Sequence, residues 1–579
     1  MSYILLSFVF AAVFGVLVYG KEKGKVWNFL LPGIVFLILG LINYAGLPVL
    51  RLWGFHGVWV EFFFVGLVGF VLSLVNFDDG YDLFNKKNFR WWRAVPLGIS
   101  LFAFLIMIGQ SWECFHAGAF HQRLKVEIVS DSVFNHDVHP IPVSKMITVD
   151  ETLARKVAED KLGQDLGLGS RVEIGKMTIQ QMTGEFVVDK GQKLKFDDAQ
   201  IWVAPLEHRS FFKWLRNDVT PGYVIVDATD ATKIYLVTEL SGKPLALRYL
   251  ENAFFADDIE RHIKNNGYAS KGLNDHCFEI SPEGVPYWVL SSYEPTIGFK
   301  GEESEGVITV DAQTGELKSY SIAETPEWID RIQPADFVFD QIRCYGEYGR
   351  GWWNSFWAQY EVQEPTPGIS LVYSEGRSFW YTGIQSAGAD NATNGFILVD
   401  TKTKAAKFYR VIGINELEAR KIAEDQNFAK ASGYQANDPI LYNVRGVPTY
   451  FMTMKGQSGN VMGYCFVAVN NRQAVGIASS KTDAEQAYLR MLKKTSHDKL
   501  TDGPVQEKAQ TFVVRDITLE GSTYYLLFEG VSGKEFTGST EFYRELKWTK
   551  KGDKVSVVYG EGEGTVIPLD FFDNLDFEI

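Results

Sequence analysis

Apolar and polar positions divide this chain into two parts. Four nearly uninterrupted apolar segments occupy residues 3–19, 29–47, 58–75 and 94–109, whereas the remainder mixes apolar and polar positions. Each segment approaches the roughly 20 residues that a helix needs to cross the hydrocarbon layer of a membrane. Residues 1–112 are therefore predicted to form a transmembrane region with four helices.

The basic residues of the short loops predict how these helices are oriented. The loop at 20–28 carries three lysines and the loop at 76–93 carries four basic residues, but the loop at 48–57 carries only Arg51. Because Lys and Arg in short loops are retained on the cytoplasmic side, both ends of the chain are predicted to lie outside the cytoplasm. We therefore expect an integral membrane protein, embedded in the lipid bilayer, with a large extracytoplasmic region.

A helical pattern recurs in the region that follows a juxtamembrane strand and linker at 113–145. A helix predicted at 150–162 contains the sequence ARKVAED, which returns as ARKIAED in a second helix predicted at 415–426. Apolar residues three and four positions apart give each helix one face to bury. The copied helix indicates that one structural unit occurs more than once in the chain.

A β-hairpin is the second repeated element. Three apolar strands, YVIVD, VITVD and FILVD, end at Asp227, Asp311 and Asp400, and a threonine follows each of them. A weaker fourth copy, CFVAVN, ends at Asn470. Asp, Asn and Thr side chains hydrogen-bond their own backbone in tight turns. These residues are therefore predicted to shape turns and not to perform catalysis.

The recurring helices and hairpins together predict an α+β fold with four tandem units, each a helix packed on an antiparallel sheet. The expected bounds of the units are 146–245, 246–330, 331–412 and 413–500. At 506–579 the pattern changes to short alternating strands separated by glycine-containing turns. This last segment is predicted to form a small all-β barrel similar to an OB or SH3-like fold.

Part of the repeat region resembles the PepSY domain. A helix that begins ITVDE at 147–151 and continues through Ala154 and Ala158 is followed by the strand GVITVDAQTGEL at 306–317. In the PepSY family, an I-(T/S)-x-x-x-A-x-x-x-A helix packs on a sheet that ends in V-D-x-x-T-G-x-(V/L). The resemblance covers roughly residues 145–480. It implies a noncatalytic module of the cell envelope that restrains or senses partners, and it supplies no catalytic residues.

Charge and cysteine content narrow the function. The 579 residues carry a formal net charge of −14, which argues against a nucleic-acid partner because phosphate contacts need clustered Lys and Arg. The four cysteines, Cys114, Cys277, Cys344 and Cys465, are widely separated. Buried free thiols are expected, and three disulfide pairings stay open if the exterior is oxidising.

Four of the nine histidines, His116, His121, His136 and His139, lie close together in the sequence. Imidazole groups at such spacings, with Cys114 nearby, are able to hold zinc or copper. No HExxH or paired CxxC motif accompanies them, so loop and interfacial histidines are the competing interpretation. We expect no metal and no cofactor. A metal-binding envelope enzyme or sensor that uses these histidines is the alternative.

An aromatic segment, GRGWWNSFW at 349–357, is the strongest candidate for recognition. Its residues Trp352, Trp353 and Trp357, with Trp380 as a neighbour, are predicted to stack on a sugar or a peptide. A buried plug between two repeats is the competing interpretation. We find no glycine-rich phosphate loop or nucleophile elbow in the chain, so no catalytic residue is predicted.

The sequence therefore predicts a noncatalytic, membrane-anchored protein of the cell envelope. Its extracytoplasmic PepSY-like repeats are expected to bind or scaffold a protein or cell-wall partner, and the sequence leaves a homo-oligomer open. The metal-binding enzyme or sensor is the second hypothesis. A small transport or signalling unit is the third, because Glu61 lies in the third apolar segment and ionisable residues within membrane spans are usually functional.

Overall fold

The computed structural model describes residues 3–18, 27–74, 94–130, 134, 137–165, 167–374, 376–388, 392–495, 508–520, 523–539, 544–559 and 566–576. Within them the chain forms the predicted mixture of helices and sheets. The contacts separate two compact units. The first comprises Met1–Ser130, Ser144–Glu416 and Ser458–Asn460, and the second comprises Asp131–Val143, Leu417–Gln457 and Val461–Ile579.

The first unit begins with four apolar helices, which match the four apolar segments of the sequence. They are α1 (Tyr3–Val18), α2 (Trp27–Gly46), α3 (Gly57–Leu74) and α4 (Val95–Ser111). A short helix, α5 (Glu113–His121), follows α4 after a bend of 43°. No single helix in the described residues is long and apolar enough to span a membrane, and α4 and α5 meet that criterion of length and composition only as a bent pair. The prediction of four spans is therefore unconfirmed.

The first sheet carries its helix on one face. After β1 (Val126–Val129), helix α6 (Glu151–Gly163) starts at Asp150, whose Oδ1 accepts the N–H of Leu153 at 3.0 Å. This helix buries Leu153, Ala154, Ala158 and Leu162, which is the face that the sequence predicts. The strands are β2 (Val172–Ile174), β3 (Thr178–Val188), β4 (Gln192–His208), β5 (Tyr223–Asp227), β6 (Asp230–Val237), β7 (Glu239–Leu240) and β8 (Lys243–Pro244), with helix α7 (Phe211–Arg216) between β4 and β5.

The second sheet of the first unit is wholly antiparallel, and the third is antiparallel except where β1 joins it. Helix α8 (Ile259–Ile263) precedes β9 (Gly272–Ile280), β10 (Pro286–Ile297), β11 (Lys300–Asp311) and β12 (Leu317–Ser321). Helix α9 (Ala335–Glu347) precedes β13 (Gln363–Pro365), β14 (Ser370–Ser374), β15 (Arg377–Ser386), β16 (Ala392–Thr393), β17 (Gly395–Asp400), β18 (Ala406–Tyr409) and β19 (Gly413–Ile414). The third sheet has the order β1-β18-β17-β15-β13, so the juxtamembrane strand β1 is one of its members.

One hydrogen-bonded joint recurs in these three sheets. In each, a tryptophan on a central strand donates its indole N–H to a main-chain carbonyl just before a helix or helical turn. The pairs are Trp202 with Val149 at 2.7 Å, Trp288 with Tyr249 at 2.9 Å and Trp380 with Gln333 at 2.8 Å. The residue after each hairpin aspartate, Ala228, Ala312 or Thr401, accepts two backbone N–H groups from the same segments. The three sheets therefore share one way of attaching the preceding chain.

The hairpin aspartates shape turns, as predicted. Asp227 Oδ1 accepts the N–H of Thr229 at 2.8 Å, and Asp311 and Asp400 each accept two backbone N–H groups in the same way. The fourth hairpin differs from the prediction. There Asn471, and not Asn470, accepts a backbone N–H, from Gln473 at 3.1 Å, because the strand ends at Ala468 and Asn471 already begins the next one.

The second unit contains a fourth sheet and a barrel. Helices α10 (Glu416–Asp425) and α11 (Asn427–Lys430) precede β20 (Gln435–Ala436), β21 (Ile440–Val444), β22 (Val447–Lys455), β23 (Val461–Ala468), β24 (Asn471–Ala478) and α12 (Lys481–Thr495). Helix α10 buries Ala419 and Ala423, the counterparts of Ala154 and Ala158. The strands β25 (Lys508–Glu520), β26 (Thr523–Phe528), β27 (Glu535–Ser539), β28 (Lys554–Tyr559) and β29 (Val566–Asn574) form a barrel in the order β25-β26-β27-β29-β28.

Candidate functional site

The aromatic loop, defined here as residues 349–361, follows α9 and contains three of the four predicted binding residues. A short π-helical turn at Asn354–Ala358 brings its rings together. Trp352 stacks on Phe356 with the ring centroids 5.3 Å apart and the planes 6° from parallel, and Trp353 lies 5.3 Å from Trp357. The loop therefore carries a cluster of four large aromatic rings on one short turn.

Most of this cluster faces outward. Trp353 and Phe356 are each 60% exposed and Trp357 is 72% exposed. The competing interpretation, a buried plug between repeats, is therefore wrong for these three side chains. Trp352 is the exception, because it packs against a buried cluster that includes Ala117 and Phe120 of α5, and it thereby attaches the loop to the body of the unit. One ring, that of Trp352, therefore attaches the loop, and the other three are exposed to solvent.

Polar groups hold the ends of the aromatic loop together. The guanidinium of Arg350 lies 2.6 Å from a carboxylate oxygen of Glu361 and 4.7 Å from the ring centre of Tyr360. The hydrogen bond from Arg350 lowers the pKa of Glu361 below its usual range. Asn354 Nδ2 donates to the carbonyl of Tyr360 at 3.0 Å and closes the loop. An apolar centre with a polar rim is the usual composition of a recognition surface.

Trp380, the fourth predicted binding residue, has a different role. It lies on β15 with only 6% of its surface exposed, in a core with Val338 and Ile342 of α9. Its indole N–H is already bonded to Gln333 in the recurrent joint. The prediction that Trp380 assists the aromatic loop is therefore wrong, because neither its ring faces nor its N–H are free to meet a ligand.

The predicted histidines that the structure describes do not form a metal site. Among the described residues, no group of three or more His, Cys, Asp or Glu side chains is placed to hold a metal ion. His121 is committed elsewhere, since its Nδ1 lies 2.8 Å from the Tyr345 carbonyl and its ring stacks on the Tyr345 ring at 5.0 Å. His116 is half-buried on α5, His139 belongs to the second unit, and His136 lies outside the described residues.

All four cysteines have free thiols, as expected from their spacing. Cys277, Cys344 and Cys465 are buried, and burial raises the pKa of each thiol, to about 12 for Cys344. A thiolate is the reactive form of cysteine. These three residues are therefore held as inert, neutral thiols.

Sequence reasoning missed a buried group of charged side chains between the second and third sheets. Glu279 on β9 and Asp330 are both buried, and burial raises the pKa of each carboxyl above its usual range. The partly buried Arg331 lies beside them, and its Nη2 is 3.2 Å from Cys277 Sγ. Two buried carboxyls beside a guanidinium are only visible once the sheets are stacked. Because Glu279 and Asp330 are shielded from solvent, their carboxyls cannot contact a partner at the surface.

A second missed feature is polar and lies inside the helical bundle. Asn43 on α2 donates from Nδ2 to Ser7 Oγ on α1 at 3.0 Å and to Glu61 Oε2 on α3 at 3.2 Å. Asn43 Oδ1 is buried and has no hydrogen-bond partner among the described residues. Glu61 is the residue that the sequence singles out, but its partner Asn43 lies on another helix, and Asn43 also binds Ser7 on a third, so the cluster could not be read from spacing.

No protein-family model matches the chain, and no curated protein matches it. The resemblance to the PepSY domain therefore stays a prediction that depends on the two motifs quoted above.

Proposed function

We propose that this chain is a noncatalytic, membrane-anchored protein of the cell envelope whose extracytoplasmic repeats bind or scaffold a protein or cell-wall partner. The binding residues in this proposal are Trp353, Phe356 and Trp357 of the aromatic loop. The observation that carries it is their exposure, since large aromatic rings in water lose the stabilisation that burial would give them. A partner that covers the rings recovers that stabilisation.

The outer surfaces of α1 to α4 support the membrane anchor. The helices bury one set of apolar side chains against each other, including Leu6, Phe10 and Phe14 of α1. A second set points outward and is strongly exposed, including Phe8, Leu41 and Leu105. Contiguous apolar surface of this kind marks a lipid or protein contact. A bilayer that surrounds the four helices accounts for the whole outward set.

The recurrent tryptophan joint supports a tandem array. We infer that the three sheets of the first unit and the fourth sheet of the second are copies of one helix-on-sheet module, as the copied helix sequence indicates. The hairpin aspartates of these modules accept backbone hydrogen bonds within their own turns. The function of such an array lies in its surface, which is consistent with binding and not with chemistry. The OB or SH3-like identity of the C-terminal barrel is part of the same proposal.

The test compares partner retention by matched variants of the full-length protein in detergent. Purified cell-wall sacculi and envelope protein extracts serve as two separate probes. We expect the Trp353→Ala/Trp357→Ala double variant to retain a specific partner at least 10-fold less than the native protein, which corresponds to about 1.4 kcal/mol. The control is Ile412→Ala, which removes an equally exposed apolar side chain elsewhere in the first unit.

The result that overturns the proposal is equal retention by the native protein and the double variant, with both still folded. Loss of retention in the Ile412→Ala control as well would indicate non-specific apolar adsorption and would equally remove the argument for the loop. A partner that is lost from the double variant but retained by the control supports the proposal, and its identity then states whether it is protein or cell wall.

The cluster of Ser7, Asn43 and Glu61 favours a second candidate function, a small transport or signalling unit. An ionisable side chain inside an apolar bundle is usually functional, and no cationic side chain is paired with Glu61 among the described residues. The test is proton or sodium flux into liposomes that contain the protein. Flux that Glu61→Gln abolishes and Glu61→Asp retains would establish this candidate, and the absence of flux in the native protein would eliminate it.

A further inference from the structure

Helix α7 forms a second exposed aromatic surface, which the sequence analysis did not single out. The α7 patch is defined as Phe211, Phe212, Trp214 and Leu215, together with Phe254 and Phe255 from the segment before α8. Phe212 is 78% exposed, Leu215 is 63% exposed and Phe255 is 53% exposed. Full burial of one such side chain is worth roughly 1.5–3 kcal/mol. Three of them left in water predict that something covers the patch.

The rings of the α7 patch form one connected surface. The ring centroid of Phe211 lies 5.9 Å from that of Trp214 and 5.1 Å from that of Phe254, and the ring centroids of Trp214 and Phe255 are 5.5 Å apart. Phe254 and Phe255 come from a different part of the chain, and their contacts with Phe211 and Trp214 hold the short helix in place. The patch is therefore a built feature of the first unit and is not a loose loop end.

The α7 patch continues the outer surface of the apolar helices. Phe255 contacts Tyr44 in the last turn of α2, with the ring centroids 6.4 Å apart. Arg261 fixes this junction, because it donates to the Tyr44 carbonyl at 3.1 Å and its guanidinium lies 4.0 Å from the Tyr44 ring centre. The outward side chains Leu37 and Leu41 of α2 are strongly exposed. Whatever covers the outside of α2 therefore reaches the α7 patch at the end of that helix.

The helical half of the α7 patch is basic. The segment 209–217, RSFFKWLRN, contains three basic and no acidic residues. The segment 251–260 around Phe254 and Phe255 carries four acidic residues; of these, Asp257 is buried and paired with Arg248, and Asp258 caps α8. Phe, Trp and Leu flanked by Lys and Arg are the side chains that settle in the head-group region of a membrane, where the rings enter the acyl boundary and the cations meet anionic lipids. A chain with a net charge of −14 makes this basic, aromatic segment stand out.

We propose that the α7 patch inserts into the head-group region of the bilayer and forms a second membrane contact, at the end of the bundle where α2 terminates. This inference rests on the proposed membrane anchor. The first sheet, which carries α7 between β4 and β5, is then held against the lipid surface at a fixed orientation. A phospholipid bilayer, and not a protein partner or a second copy of the chain, is the occupant.

The experiment places one environment-sensitive fluorophore at Phe212→Cys in the full-length protein, with Cys114 changed to Ser so that the half-exposed native thiol does not react. The protein is reconstituted in nanodiscs of phosphatidylcholine and phosphatidylglycerol, with and without a nitroxide-labelled lipid. Leu41→Cys on the outer surface of α2 is the lipid-facing control, and Ile412→Cys, which is 79% exposed, is the water-facing control.

We expect the nitroxide lipid to quench the probe at 212 at least threefold more than the probe at 412, and at a level close to that at 41. Quenching at 41 but not at 212 would overturn the inference while the proposed anchor stands. A probe at 212 that is shielded from aqueous iodide yet unaffected by the nitroxide lipid would overturn it in favour of a protein occupant. If the probe at 41 is not quenched either, both the membrane anchor and this inference fail.

Discussion

Replacing Glu207 by glutamine removes a pH-dependent destabilisation that is built into the first sheet. Glu207 lies on β4 with only 7% of its surface exposed, and its Oε1 has no hydrogen-bond partner among the described residues. Burial, with the charges of Glu251 and Glu173, raises the pKa of Glu207 from 4.5 to about 7. Glu173 is its direct cross-strand partner on β2, and the opposing charge of Arg155 does not offset these effects.

The direction of this pH dependence is set by the folded protein, which binds the proton of Glu207 more tightly than the unfolded chain does. The folded protein holds a proton on Glu207 up to about pH 7, whereas the unfolded chain releases it near pH 4.5. The contribution of protonated Glu207 to the free energy of unfolding is therefore fully present below pH 4.5 and is lost as the pH rises through 7. Above that pH, ionised Glu207 costs the folded state about 3 kcal/mol, because each pKa unit corresponds to about 1.4 kcal/mol. At pH 5 the cost is below about 1 kcal/mol.

The assay is thermal unfolding of the full-length protein in detergent, followed by tryptophan fluorescence at pH 5 and pH 8.5. We take the cooperative unit to be the segment Ser144–Glu416 of the first unit, roughly 270 residues, with an unfolding entropy of about 2 cal/mol/K per residue. Glu207→Gln should then raise the melting temperature by about 5 °C at pH 8.5 and by about 1 °C at pH 5. Glu185→Gln, at an exposed carboxylate on β3, is the control and should change little at either pH. An equal shift for Glu207→Gln at both pH values would refute the reasoning.

Three further predictions concern packing and the core. Gly476→Ala places a Cβ 2.2 Å from the Tyr488 amide nitrogen of α12, so it should destabilise the fourth sheet by more than about 2 kcal/mol in chemical unfolding, while Gly163→Ala, with nothing within 4 Å, should not. Trp380→Phe leaves the buried Gln333 carbonyl without its donor and should cost about 1–3 kcal/mol without weakening partner retention; weakened retention would restore Trp380 to the binding site. A thiol reagent should modify only the half-exposed Cys114 in the native protein, and rapid reaction of a second thiol would contradict the buried positions of the other three.

Features encoded by local periodicity could be predicted from the sequence. The apolar runs predict the bounds of α1 to α4 to within a few residues of those observed. The spacing of Leu153, Ala154 and Ala158 predicts which face of α6 is buried. The turn roles of the hairpin aspartates followed from the chemistry of a short carboxylate beside backbone N–H groups. Each of these depends on residues within about ten positions of each other, which is the range over which a single sequence is informative.

Features that depend on distant partners could not be predicted. The sequence predicts Trp380 as a neighbour of the aromatic loop, but strand alternation alone does not state which face of β15 meets α9. The position of the aromatic loop depends on Trp352 packing against a buried cluster that includes Ala117 and Phe120, which lie more than 200 positions earlier. The α7 patch is visible in the sequence as FFKWLR, yet only its contact with Tyr44 through Phe255 connects it to the apolar helices.

The third sheet places a constraint on the order in which the chain folds. Strand β1 pairs in parallel with β18, joining Val126 to Ala406 and Val129 to Tyr409, so the ribosome makes one edge of this sheet long before its neighbour. The first two sheets draw their strands only from 172–244 and 272–321, so both are free to form in the meantime. Until β18 emerges, β1 is an unpaired strand beside the newly made helices, and a nascent chain stalled between the two strands would expose an edge open to aggregation.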